Sequence, residues 1–361
     1  MQIMKHIDEY RDAKLVKGIA SAISQRKAGR LLKFMHVCGT HENSIARFGL
    51  RSLLPDWIKV IAGPGCPVCV CPTEDIDIAS RIALDGKAAI VTFGDMMKVP
   101  ATDGSLFDVK SSGGEVHIVY SPSDAVALAK EHPGREFCFF AVGFETTAAP
   151  VAASILAGPP DNFSIISSHR IIPPALELLL NRDDVEIDGF ILPGHVMTVM
   201  GYGEYEDLPR KYRKAVAIAG FEPADILLAI LKMVDQVVER KYEVFNAYPR
   251  SVAREGNMVA KEAMDRVFDI SDSRWRGIGV IKNSGLRLKE SFGQYDAVKK
   301  FQVKLGKESI DLNPGCSCHL VMIGKIEPPE CPLFGKSCTP EFPYGPCMVS
   351  SEGTCRLYHS L

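Results

Sequence analysis

LLKFMHVCGTHENSIARFGLRSLLPDWIKVIAGPGCPVCVCPTEDIDIASRIALDGKAAIVTFGD, residues 31–95, decides the fold. Its apolar runs LLKFMHV, WIKVIAG and AAIVTFGD are separated by the helical segments HENSIARFGLRSLL and EDIDIASRIALDG, so the stretch reads β-α-β-α-β. The strands are nearly continuous in apolar character, which suits a parallel sheet covered on both faces. After the less regular TDGSLFDVKSSGG (102–114) the alternation resumes with VHIVYSP, DAVALAKEH, EFCFFAV, TTAAPVAASILAG, FSIISSH, PPALELLLNRD and GFILPG. A second α/β unit follows from it. FMHVCGTHENS (34–44) and FFAVGFETTAA (139–149) echo each other as apolar strand, glycine turn, threonine and helix.

At 361 residues the chain exceeds what one core usually serves, and 46% hydrophobic residues supply ample material for burial. Its 42 basic and 44 acidic residues nearly cancel, with no basic run or aromatic-basic stripe, which argues against nucleic acid or an anionic membrane surface as partner. The opening MQIMKHIDEYRDAKLVKG reads as a charged amphipathic helix without the apolar stretch of a signal peptide. No later run is long enough to span a bilayer, so a cytoplasmic location and no membrane partner are expected. In that reducing compartment eleven cysteines point to metal or redox chemistry rather than a disulfide framework.

Six of those cysteines, Cys316, Cys318, Cys331, Cys338, Cys347 and Cys355, lie beyond Asn313 in a tail rich in Pro and Gly and poor in periodic apolar positions. Such a tail is expected to lack a conventional core and to need a metal staple. Four thiolates hold either a tetrahedral zinc or a cubane iron–sulfur cluster, and the absence of close C-x2-C pairs favours the cluster. Cys66-Pro67-Val68-Cys69 follows an apolar strand and precedes a helix that Thr73 is placed to cap, the setting of a dithiol that cycles to a disulfide. Half of a zinc site is the alternative, though no second pair lies nearby; Cys71 reads as packed rather than reactive.

In HVCGTHE (36–42), Cys38 falls at a strand end, Gly39 permits a tight turn and Thr40 is placed to cap the next helix. A cysteine there is expected to be exposed, face a helix N-terminus and favour the thiolate. Cys38 and His41 are suitable iron ligands or proton-transfer partners, set against the commoner case of a satisfied core histidine. GFETT (143–147) and PGHV (193–196) also sit at strand ends. Because open α/β sheets collect ligands beyond the carboxyl ends of their strands, Cys38, His41, Cys66, Cys69, Glu145 and His195 are expected to converge on one cleft. A solvated first-turn carboxylate is the plain alternative for Glu145, and a core or turn histidine for His195.

With HVCGTHE, GPGCPVC, GFETT, PGHV and the cysteine-rich tail in this order, the chain resembles the HypD family from about residue 10 to its C-terminus. Members help build the iron centre of nickel–iron hydrogenases. The resemblance implies a [4Fe-4S] cluster on Cys316, Cys331, Cys338 and Cys355, whose C-x14-C-x6-C-x16-C spacing fits, leaving Cys318 and Cys347 outside. It implies that Cys38 holds a mononuclear iron carried as an Fe(CN)2CO intermediate and shared with a HypC-type small chaperone. A HypE-type partner donates the cyanide. Cys66 and Cys69 become a redox pair between iron and cluster, much as in ferredoxin–thioredoxin reductase, with His41, Glu145 and His195 managing protons or orienting the iron. Asn43 stands just beyond His41 and Glu42, so a single imidazole is carried over from this motif.

The expected architecture is therefore α/β. Two parallel-sheet, Rossmann-like domains span 1–120 and 121–235, and a helical segment with a C-terminal iron–sulfur domain spans 236–361. Two rival functions remain: a cluster-dependent thiol–disulfide oxidoreductase and a non-enzymatic adaptor with a zinc-binding tail.

Overall fold

Strand β1 (Leu32–His36) alternates its side chains between two cores, as the two-residue period of a strand requires: Phe34 enters one and Met35 the other. The computed structural model describes residues 7–182 and 184–360. β1 pairs in parallel with β2 (Ile58–Ala62), from Leu32 opposite Ile58 to His36 opposite Ala62. On its other side lie β7 (Gly189–Pro193), β8 (Ala215–Ala219) and β9 (Val244–Asn246), which complete an all-parallel sheet of order β2-β1-β7-β8-β9. The helices Ala13–Ser24 and Pro223–Glu239 pack on its Phe34 face with Ile23, Leu227 and Met233.

The second sheet runs β10-β11-β6-β5-β3-β4. β3 (Ala89–Thr92), β4 (Val116–Ile118), β5 (Phe137–Gly143) and β6 (Phe163–Arg170) are parallel, while β10 (Phe268–Trp275) and β11 (Gly279–Leu288) form an antiparallel hairpin added beside β6. The sheet is therefore mixed, because the short connection between β10 and β11 allows only an antiparallel return. Phe139 packs on its outer face and Phe140 on its inner face, the same division as Phe34 and Met35.

Strand pairing crosses both boundaries expected at 120 and 235. Across 120, β3 joins β5 and β7 returns to β1; across 235, β9 joins β8 and β11 joins β6. Hydrophobic periodicity reports a local element and not its partner strand, so the local reading could not see the exchange. The inner faces of both sheets share one core with the cysteine-rich tail. Val321, Met322, Ile323 and Met348 join it, contrary to the expectation that the tail lacks core-forming residues.

Of the expected N-terminal helix, residues 1–6 lie outside the described residues. The rest forms a 3-10 turn at Asp8–Arg11 and the helix Ala13–Ser24, capped by Asp12 accepting from the N–H groups of Lys14 and Leu15. Residue 183, the last of the expected helical segment PPALELLLNRD, is also outside them; the helix formed there is Ile172–Leu180. Among the described residues no helix is long and apolar enough to cross a membrane.

Candidate functional site

All five strands of the first sheet point the same way, so the loops after β1, β2, β7 and β8 meet at one edge. Cys38 takes the N-cap position of the helix Gly39–Arg47 in extended conformation (φ −158°, ψ 127°), the place expected for Thr40. Its side chain is not exposed: only 3% of Cys38 reaches solvent. Burial, with the Glu352 carboxylate adding to it, pushes the thiol up to about 12 against the opposing N–H groups of His41 and Thr40. The expected thiolate is thus not the resting form, because desolvation outweighs the helix N-terminus. A metal would displace the proton, since a coordinating thiol is deprotonated outright.

His195, in the first turn of the helix Gly194–Met200, brings Nδ1 to 4.0 Å from Cys38 Sγ. Burial lowers its pKa to about 4, so the ring is neutral. His41 faces the carbonyl oxygens of Ala219 at 3.2 Å and Gly220 at 3.0 Å through Nε2. Carbonyls only accept, so we assign the proton to Nε2 and the lone pair to Nδ1. That Nδ1 is buried and has no partner. Desolvation first, then the neighbouring His36 and His195, lower the His41 pKa to about 3. Phe221 lies against both rings, 5.0 Å from His41 and 5.3 Å from His195 between centroids.

The helix carrying His41 is anchored by Glu42, which is fully buried. Its carboxylate accepts from Arg51 Nη1 at 2.9 Å and Nη2 at 2.8 Å and lies 2.5 Å from His36 Nε2. Burial acts to raise this carboxyl, yet His36 and Arg51 together outweigh it and hold the pKa down to about 2.

The dithiol loop rests directly on the Cys38 backbone. A Cβ at Gly65 would fall 2.0 Å from the Val37 carbonyl carbon and 2.1 Å from the Cys38 nitrogen, so only glycine fits. Two bonds close the junction: Gly39 N–H donates to Gly65 O at 3.3 Å, and Gly63 N–H to His36 O at 2.8 Å. Cys66 and Cys69 are joined as a disulfide, with Cα atoms 5.2 Å apart. Cys66 caps a short helix of its own, Pro67–Val70, and its Sγ accepts the Cys69 N–H at 3.2 Å. The next helix, Thr73–Leu84, has Pro72 at its N-cap; Thr73 is no cap, and its N–H donates to Asp311 at 3.0 Å. Cys71 is packed, with Sγ 3.4 Å from Ser168 Oγ and its pKa pushed up to about 12, chiefly by burial.

Six tail cysteines, Cys316, Cys318, Cys331, Cys338, Cys347 and Cys355, line one small cavity of about 10 Å³ with Leu333, Phe334 and Met348. The thiol of Cys318 interacts with those of Cys316 and Cys347, and Cys347 in turn with Cys355, so that each perturbs its neighbour's ionisation. Cys318 and Cys347, outside the set of four that the motif spacing suggests, therefore sit between two of its members. Cys338 Sγ accepts the Tyr344 N–H at 3.4 Å. An all-sulfur lining suits zinc or an iron–sulfur cluster rather than a hard cation, so the donor chemistry fits the implied group. Among the described residues, no three His, Cys, Asp or Glu side chains already stand at ligand spacing. The helix Pro346–Val349, which bears Cys347, packs against the dithiol helix Pro67–Val70.

The tail also reaches Cys38 itself. Thr40 Oγ1 donates to Glu352 Oε1 at 2.6 Å, and a Cβ at Gly39 would meet the Glu352 Cβ at 2.4 Å. Ser350 Oγ, Ser351 Oγ and Ser351 N–H all donate to Asp95 Oδ2, at 3.1, 3.1 and 3.0 Å, so residues 350–352 tie the second sheet to the first. Sequence reasoning missed Glu352 and Asp95. An acid before Cys355 and one after a strand look like any loop carboxylates.

Glu145 is neither solvated nor bonded to the Cys38 group. It is 1% exposed, and its Oε1 accepts the Ile172 N–H at 2.9 Å, capping the helix Ile172–Leu180. Its Oε2 is buried without a partner, and burial pushes its pKa up to about 7. Its helix, Glu145–Leu156, packs against the helix that bears His195.

One sheet edge thus holds a buried thiol, two neutral imidazoles and a disulfide-forming pair, backed by a thiol-lined cavity. The HypD family model, described as the hydrogenase formation hypA family, matches residues 14–361. Hydrogenase maturation factor HypD2 of Bradyrhizobium diazoefficiens is 44% identical, over 98% of this chain and 96% of its own. Hydrogenase maturation factor HypD of Cupriavidus necator is 42% identical, over 99% and 97%. A putative hydrogenase expression/formation protein of Methanocaldococcus jannaschii is 44% identical over 91% of each chain. With full-length similarity at this level and the motif residues gathered as described, the chain belongs to the HypD family of hydrogenase maturation factors.

Proposed function

We propose that this chain is the scaffold on which the Fe(CN)2CO moiety of nickel–iron hydrogenases is assembled, with iron as its cargo. The observation that carries this reading is the junction at Gly65, which seats the dithiol loop on the backbone of Cys38 while the dithiol helix packs against the tail helix bearing Cys347. Cys38 supplies the thiolate for iron, shared with the cysteine of a HypC-type chaperone. Neutral His195 stands where it can take the proton that iron displaces, and His41 offers the Nδ1 lone pair toward the same edge.

Cyanide arrives as a thiocyanate on a HypE-type partner, and its release consumes an electron pair: R–S–CN + 2e⁻ → R–S⁻ + CN⁻. Cys66 and Cys69 provide that pair as thiols and become the disulfide, giving up two protons. A [4Fe-4S] cluster held by Cys316, Cys331, Cys338 and Cys355 would pass single electrons from an external one-electron donor to restore the dithiol. The rival reading, a thiol–disulfide oxidoreductase for protein substrates, needs an attacking thiolate at the surface. Cys66 and Cys69 are both buried, which disfavours it.

The test is anaerobic co-purification with a HypC-type chaperone followed by infrared spectroscopy. Bands from iron-bound cyanide and carbon monoxide are expected. A colourless complex with stoichiometric zinc, or iron lacking those bands, would contradict the scaffold.

A further inference from the structure

Two helices that lead into strands of the first sheet end on arginines in the left-handed conformation. Arg213 (φ 50°, ψ 48°) follows Leu208–Tyr212, and Arg240 (φ 56°, ψ 34°) follows Pro223–Glu239. Glycine is the usual occupant of such a cap, because a Cβ is crowded there. Backbone donors already close both ends: the N–H groups of Arg213 and Lys214 go to Pro209 O, and those of Arg240 and Lys241 to Gln236 O. The terminal carbonyls therefore leave the two arginine side chains free. Among the described residues, neither guanidinium has a hydrogen-bond or ion-pair partner.

Both arginines open onto one recess of about 660 Å³, lined by Arg210, Arg213, Arg240, Lys241, Tyr242 and Glu243. Four cations face a single carboxylate there, on a chain whose net charge is −2. Arg210 interacts with Glu206, but Arg254 already holds that carboxylate at 2.8 and 2.7 Å. Lys241 has an exposed pair with Glu239 at 3.6 Å. The lining residues run directly into β8 and β9, so the recess sits at the amino edge of the parallel sheet, opposite the loops that carry Cys38 and His195. Crowded like charges repel one another, and a bound anion removes that repulsion.

We propose that this recess binds an anion carrying two or more phosphate groups, at a site separate from the iron edge and independent of the scaffold reading. Its volume lies within the range of small-molecule sites. The planar guanidinium fork matches phosphate oxygens in pairs, and here two such forks reach the same space from different helix ends. A diphosphate concentrates its negative charge within that space, whereas an acidic peptide spreads single carboxylates along an extended chain. Tyr242 and Glu243 add a ring and an acceptor, which a nucleoside would use and free pyrophosphate would not.

Calorimetric titration of the full chain with sodium pyrophosphate, and separately with ADP, at low and constant ionic strength tests this. Saturable binding is expected, and whichever ligand binds more tightly names the source of the phosphates. The double variant Arg213→Gly, Arg240→Gly removes both forks while suiting both caps. It should weaken binding of either ligand by about tenfold per arginine. Its urea midpoint should hold or rise, because glycine relieves the crowded backbone. The pair Arg213→Gln, Arg240→Gln, which removes charge and keeps a side chain at each cap, should lose affinity to a similar degree. Absence of binding by both ligands in the parent, or parental affinity in either double variant, overturns the proposal. So does tighter binding of a polyglutamate peptide than of pyrophosphate and ADP, which would make the recess a dock for an acidic protein. A fall in the urea midpoint of the glycine pair assigns the arginines to the fold and overturns it as well.

Discussion

In residues 34–44, β1 hands over to its helix through Cys38 and Gly39; in residues 139–149, β5 hands over through Gly143 and Phe144 to a helix that begins at Glu145. Both units lie inside a parallel run, and both send alternate side chains into the shared core. Their polar groups end in different states. Glu145 spends one oxygen capping Ile172. At Cys38 the second loop presses in through Gly65, the tail arrives with Glu352, and the Nδ1 of His41 is left without a partner. A strand–turn–helix joint becomes a reactive edge through what other segments bring to it, not through its own geometry.

The sharpest way to break that contrast is at the anchor of the first unit. Arg51→Met leaves the buried Glu42 carboxylate with His36 alone, and the expected loss is about 3–5 kcal/mol in urea unfolding at pH 7. A loss below about 1 kcal/mol would mean the anchor is not needed. In the parent, Glu42 titrates at about 2 when folded against 4.5 as the reference, so its contribution is present above pH 4.5 and disappears as pH falls toward 2.

The second unit predicts the opposite slope. The folded Glu145 pKa of about 7 lies above its reference of 4.5, so its stability is fully present below pH 4.5 and is lost as pH rises through 7. Glu145→Gln keeps the acceptor for Ile172 and cannot ionise. It should stabilise the protein at pH 8, by about 3 kcal/mol at most, relative to its effect at pH 4. Equal effects at both values, measured by urea midpoints, would show that Glu145 does not hold a proton at pH values above its reference. The smallest expected effect is at the tail contact: Thr40→Val removes the bond to Glu352 and should cost about 1 kcal/mol, with faster amide exchange confined to residues 350–352.

Long apolar runs made β1 to β7 legible, because their period and the helices between them are local properties. β9 is three residues long, and β10 (FDISDSRW) alternates with charge, so neither stands out as a strand; their pairing is what makes them strands. The motif residues were legible as candidates, but their environment was not. Cys38 reads as an exposed thiolate until Glu352, 312 residues beyond Thr40, closes over its helix. The tail reads as coreless because Val321, Met322 and Met348 lack a period of their own, yet they fill the space between two sheets assembled from distant segments.

The most direct measurement is the metal content of the Cys38→Ala chain, co-purified anaerobically with a HypC-type chaperone and compared with the parent. The scaffold account predicts that mononuclear iron and its cyanide and carbonyl bands vanish while the visible spectrum of the tail cluster stays at parental intensity. Stoichiometric iron retained without Cys38, or a cluster lost along with it, would contradict the assignment.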